Sequence, residues 1–298
     1  MPSEAESSAP LLYPRQVCFV VEDVPAAVQF CEETLGWGPF YQFKAPVPTA
    51  HYKDWSGEKL TEVALGMAGK VQVEFLHIHQ GRDTTADYQA QYGTGFQHLG
   101  IHCESRDQAL AHLKSLGATV NELNEYPGIR FAFVDVPTGP GMFEILQPTA
   151  EIADNDGISS SRKMNDRARA LFDVDRATMV TRDIDTALNF YASSFDWDCP
   201  TAVTATLRYG DKETCVRRYI GKAGALQLEL IEPNDNSDDP YATHLRRGDH
   251  GLIHAGGVFN GDLLEGEALR GEWLEIQEPF ILYDWAGGER ALQIRRSN

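Results

Sequence analysis

The sequence predicts an α+β protein of two related halves, each made of two units in which a strand is followed by a helix and then by three strands. Three observations predict it. The chain repeats itself across its midpoint, the same element order recurs inside each half, and a polar, partly Ser-rich stretch joins the halves.

The repeat is gapless over its first segment. QVCFVVEDVPAAVQFCEETLGW (16–37) lies on RATMVTRDIDTALNFYASSFDW (176–197), so that Asp23 falls on Asp183, Ala27 on Ala187, Phe30 on Phe190 and Trp37 on Trp197. AGKVQVEFL (68–76) then lies on AGALQLELI (223–231), and GFQHLGIH (95–102) on GLIHAGGV (251–258). A weaker match sets DVPTGPGMFEIL on DWAGGERALQIR, with Glu144 opposite Gln293. The division that follows is a disordered tail over 1–11, an N-terminal domain over 12–150, a linker over 151–172 and a C-terminal domain over 173–298.

The elements follow from local chemistry. Residues 16–22 are rich in Val and Phe and read as a buried strand. Asp23 is placed to cap a helix whose apolar face is Val24, Ala27, Val28, Cys31 and Leu35, and Gly36 closes it. Residues 38–59, rich in aromatics and Pro, read as a long loop whose His51, Tyr52 and Trp55 could cover a cavity mouth; strands follow at 60–66 and 70–78. The order restarts at 97 with the strand QHLGIHC. Ser105 and Gln108 then form a capping box for a helix carrying Leu110, Leu113 and Leu116, stopped by Gly117. Strands near 129–135 and 142–147 complete the half.

Composition narrows the function classes. With 42% hydrophobic and 23% charged residues the chain reads as a globular protein, and no run approaches the roughly 20 apolar residues of a membrane helix. A formal charge of −18 argues against nucleic acid and anionic membranes as partners. The five cysteines are scattered, without CxxC spacing, which points to reduced thiols and a cytoplasmic setting. The expected partner is a small-molecule substrate, and the expected state a monomer or homodimer.

The chemistry-bearing residues sit at equivalent places of the units. Gln16 opens the first strand of unit one and Glu74 lies in its last strand; His98 and Glu144 hold the same places in unit two. Glu74 and Glu144 are each flanked by apolar neighbours, and a carboxylate in such a strand is costly to bury unless it is paired or cation-bound. His77 and His79 have the opposite parity to Glu74 and point away from it, whereas His102 shares the face of His98.

VxDVxxAxxFC, VQVEFL, HLGIH and GMFEIL, taken in order, resemble the vicinal oxygen chelate superfamily, which includes glyoxalase I, methylmalonyl-CoA epimerase, extradiol dioxygenases and bleomycin- and fosfomycin-resistance proteins. The resemblance implies four βαβββ units forming two paired, glyoxalase-like open-barrel domains. It also implies one divalent metal ion (Zn, Ni, Co, Mn or Fe) held by Gln16, Glu74, His98 and Glu144, a set most similar to that of glyoxalase I. The implied enzyme is an isomerase, epimerase or lyase that abstracts a proton next to a chelated carbonyl of a small, apolar or aromatic substrate. Glu144 is the first candidate base and Glu74 the second, and His102 is a cavity-lining acid–base candidate. The alternatives are an extradiol-type dioxygenase, whose triad takes two His and one carboxylate, and a metal-free binding or resistance protein. The equivalent positions of the second half are Arg176, Glu229, His254 and Gln293. Arginine offers no lone pair to a metal, so that half reads as a degenerate copy. Units could pair within halves or exchange between them, and pairing within halves makes the better donor set.

Overall fold

The computed structural model describes residues 12–126, 128–137, 142–148, 173–195, 197, 201–234, 237–248, 251–259, 268–274, 278–285 and 288–296. The expected tail, the expected linker and Cys199 lie outside them.

Unit one runs β1 (Tyr13–Val20), α1 (Val24–Phe30), β2 (Tyr41–Tyr52), β3 (Trp55–Ala68) and β4 (Val71–Gln80). The Asp23 side chain accepts from the Ala26 amide at 2.8 Å, as the capping reading requires, and α1 continues into one wide turn over Cys31–Leu35 that Gly36 ends at a φ of 69°. A helix without a counterpart in the sequence reading follows, α2 (Thr84–Tyr92), capped by Asp83. Unit two is β5 (Gly95–His102), α3 (Arg106–Ser115), β6 (Thr119–Tyr126), β7 (Ile129–Asp135) and β8 (Met142–Pro148).

The second half repeats this with β9 (Arg176–Val180), α4 (Ile184–Phe195), β10 (Val203–Tyr209), β11 (Lys212–Ala223) and β12 (Leu226–Glu232). Then come α5 (Pro240–Arg246), β13 (Leu252–Phe259), β14 (Ala268–Trp273), β15 (Glu278–Trp285) and β16 (Gly288–Arg296). The segment between β13 and β14, where the helix of unit four is expected, lies outside the described residues.

Residues 38–59 correct the loop reading. Tyr41–Tyr52 pairs antiparallel with β3 as a long hairpin arm, and the prolines that suggested a loop are tolerated because β2 is an edge strand. Tyr52 is buried and donates its hydroxyl to Asp87 of α2 at 3.2 Å, which ties the hairpin tip to that helix.

Units pair within halves. The first sheet has the order β2-β3-β4-β1-β5-β8-β7-β6, with β1 against β5 at its centre. The second has the matching order β10-β11-β12-β9-β13-β16-β15-β14 but closes into a barrel through pairing of β10 with β14. Among the described residues, the edge strands β2 and β6 of the first sheet do not pair. The outer faces of both sheets and the helices between them form one continuous apolar core, in which Phe143 of β8 meets Phe190, Tyr191 and Phe195 of α4. The inner faces are free to carry chemistry.

Candidate metal centre

Strand register assembles the centre. β1 lies parallel to β4 and antiparallel to β5, and β5 lies parallel to β8. One row across the inner face therefore reads Gln72, Gln16, Gly100, Glu144, Phe133, and the next reads Leu65, Glu74, Cys18, His98. A side chain that alternates on one strand meets its partners only through this register. Gln16, Glu74, His98 and Glu144 converge as a result.

All four are buried. His98 Nε2 stands 3.4 Å from Glu74 Oε2 and 3.3 Å from Glu144 Oε2. These three atoms and Gln16 Oε1 have no partner of hydrogen-bond geometry, although the His–Glu separations fall within ion-pair range. Leaving a buried polar atom unpaired costs about 1–3 kcal/mol, and more for a charged group. Two donors bound at roughly 2.1 Å to a tetrahedral ion lie roughly 3.4 Å apart, close to the separations found here. The spacing of His98 from each carboxylate, and the two carboxylate charges, suit a divalent cation.

Outer contacts aim the donors. Gln16 Nε2 donates to Gln72 Oε1 at 2.7 Å, which leaves Gln16 Oε1 as the inward atom. Gln97, fully buried, accepts at Oε1 from the His98 ring at Nδ1 (3.1 Å) and from Thr85 of α2 (3.4 Å), so His98 offers Nε2 inward. The Gly100 backbone faces the Gln16 side chain so closely that a Cβ there would collide with it. The Gln16 side chain occupies the place that a Cβ of residue 100 would take, which is why that residue is glycine.

The titrations follow from the surroundings. Burial would lower the His98 pKa, but the flanking Glu144 and Glu74 carboxylates outweigh it and raise it to about 9. Burial, reinforced by Glu74, raises that of Glu144. His102 lies one row out, between Tyr13 and Leu146, and is joined to the four by no hydrogen bond or ion pair among the described residues. Its pKa falls to about 4 through burial and the Arg15 charge, so it is neutral at pH 7. His77 and His79 point away as expected, to the Val21 carbonyl and to Glu62.

Cys18 was missed from sequence. It is fully buried, and burial, Glu74 and Glu144 push its thiol pKa up. Among the described residues, Cys18, Glu74 and His98 are a group of metal-ligating type whose donor atoms all lie within 4.8 Å of one another. The available signal was its period-two spacing from Gln16.

The second half copies both rows with five replacements. They read Gln227, Arg176, Gly256, Gln293, Leu282, and Ile220, Glu229, Thr178, His254. Glu229 is held by Thr178 Oγ1 at 2.6 Å, Arg218 at 2.6 Å and Arg176 at 3.7 Å. Burial would raise the Glu229 pKa, but Arg218 and then Arg176 bring it to about 2. Two guanidinium groups thus stand beside the carboxylate that corresponds to Glu74.

Comparison with known proteins agrees with this architecture. Residues 15–133 match the family described as the Glyoxalase/Bleomycin resistance protein/Dioxygenase superfamily, and the second half repeats the strand order of the matched one. The first half of the chain is thus similar to that superfamily. A search of curated protein sequences finds no match. Among solved structures, a substituted form of 4-hydroxymandelate synthase from Streptomyces coelicolor has a TM-score of 0.61 at 12% identity, covering 96% of this chain and 92% of that one. A hypothetical protein from Staphylococcus aureus has a TM-score of 0.51 at 9% identity, covering 96% and 99%. At such identities the likeness is one of fold.

Proposed function

We propose that the protein is a divalent-metal-dependent isomerase, epimerase or lyase that removes a proton next to a chelated carbonyl of a small substrate with an apolar or aromatic body. One observation carries this reading: Gln16, Glu74, His98 and Glu144 each have a buried atom without a hydrogen-bond partner, on adjacent rows of one sheet face. These four residues would hold the ion. A bound dication supplies Lewis acidity that makes the C–H beside a carbonyl acidic.

The remaining work falls to side chains. Glu144 flanks Gly100 on the side away from Gln16 and next to Phe133, which supports its carboxylate as the proton acceptor, while Glu74 lies beside the Cys18 thiol. Phe133, with its ring 5.2 Å from that of His98, and the apolar group of Phe43, Val63, Leu65 and Leu76 supply walls that exclude water and suit an apolar body. His102, neutral and one row out, is placed to exchange a proton with a substrate that reaches past Gly100.

The test joins elemental analysis after metal reconstitution to a screen for solvent deuterium uptake. The screen covers 2-oxoaldehyde–thiol adducts, acyl-CoA thioesters and cyclic enones. About one ion per chain with uptake at one substrate carbon is the expected result. Oxygen consumption with a catechol instead of exchange would replace proton abstraction by ring cleavage. A chain that holds no metal after reconstitution would be a binding protein.

A further inference from the structure

We propose that Cys18 is a fifth donor of the metal centre and that its sulfur selects a thiophilic cation of the zinc or cobalt class over magnesium, calcium and manganese. The inference rests on the reading of the centre as a metal site and deepens it.

Geometry brings Cys18 forward. Register sets it opposite Glu74 on one side and His98 on the other, two residues along β1 from Gln16 and on the same inner face. Its Sγ shares a 4.8 Å neighbourhood with one Glu74 oxygen and one His98 nitrogen. Two side chains turn unpartnered atoms toward that spot. His98 Nε2 is fully buried, Glu74 Oε2 belongs to a residue only 9% exposed, and neither has a hydrogen-bond partner.

The second half supplies an internal comparison. At the place of Cys18 it has Thr178, whose hydroxyl donates to Glu229, and at the place of Val63 it has Arg218, whose guanidinium neutralises that carboxylate. Where arginines stand beside the carboxylate the position carries a hydroxyl; where no arginine or lysine pairs with Glu74 among the described residues, it carries sulfur. Sulfur and imidazole together suit zinc and cobalt, whereas magnesium, calcium and manganese take oxygen ligands.

The consequence reaches the proposed reaction. The sulfur binds as a thiolate, its proton passing to water. That thiolate and Glu74 then balance the two positive charges between them, which leaves Glu144 uncommitted to charge balance and available as the proton acceptor.

The experiment titrates the metal-stripped full-length protein with cobalt(II) and records absorption. The expected spectrum has visible d–d bands together with a near-ultraviolet sulfur-to-cobalt band, both saturating at one ion per chain. Cys18→Ser and Cys18→Ala should keep the visible bands and lose the near-ultraviolet one. Zinc affinity should fall at least roughly tenfold while manganese affinity is little changed. Visible bands without the near-ultraviolet band in the unaltered protein would overturn the role of Cys18 and leave the metal centre standing. That result needs no variant, so a misfolded substitution cannot obscure it. Failure of the unaltered protein to bind cobalt or zinc at all would overturn both readings.

Discussion

Removing Arg218 should destabilise the second half by about 3 kcal/mol, and the structure sets that magnitude in two ways. The Glu229 carboxylate is fully buried, receives Arg218 at 2.6 Å and has its pKa lowered from 4.5 to about 2. At about 1.36 kcal/mol per unit, that shift alone corresponds to about 3 kcal/mol shared among its partners. Coulomb attraction between unit charges some 4 Å apart at an effective dielectric constant of about 20 gives a similar figure, about 4 kcal/mol. Arg176 at 3.7 Å and Thr178 remain after the substitution and retain part of it. The perturbation is Arg218→Met, which keeps the volume of the stem and deletes the charge. The pH dependence has a definite sign. A carboxylate whose folded pKa is depressed contributes stability that is full above about 4.5 and is lost as pH falls toward about 2. In Arg218→Met the Glu229 pKa rises, so acid unfolding should begin at higher pH. Urea denaturation followed by tryptophan fluorescence between pH 3 and pH 8 measures both effects. The double variant Arg218→Met/Glu229→Gln should recover most of the loss, because breaking a buried pair is worse than removing it. A single variant within about 0.5 kcal/mol of the unaltered protein at pH 7 would refute the claim that this cation balances the barrel interior.

Three other outcomes follow from the first half. Glu144→Gln preserves shape and an oxygen donor but removes basicity, so the variant should still take up metal while solvent deuterium exchange falls by about 100-fold or more; exchange at the unaltered rate would reduce Glu144 to a ligand. Gln97→Leu deletes the acceptor at His98 Nδ1 without touching a donor, and metal affinity measured by competition with a chelator should weaken about 10- to 100-fold. Gly100→Ala drives a methyl into Gln16, which should cost about 1–3 kcal/mol in denaturation and lower metal affinity with it.

Much of this protein is local in origin and was legible in the chain. The two-fold repeat, the Asp23 and Ser105 caps, and the alternation that sets His98 and His102 on one face and His77 and His79 on another all depend on neighbours a few residues away. Gln16, Glu74, His98 and Glu144 could be proposed as donors because they hold equivalent strand positions and the resemblance implies ligands there. What lay beyond reach depends on contacts between distant segments. Residues 41–52 form a strand because β3 offers an edge that tolerates their prolines, and α2 is anchored by Tyr52 and Gln97 more than by an apolar face of its own. Cys18 looks like an ordinary core residue until register sets it between Glu74 and His98, and Arg218 enters the second barrel only because β11 lies against β12. The first sheet stays open while the second closes through β10 and β14, a difference decided by the pairing of edge strands more than 60 residues apart in sequence. A period of two says which residues share a face; only the register between strands says which of them meet.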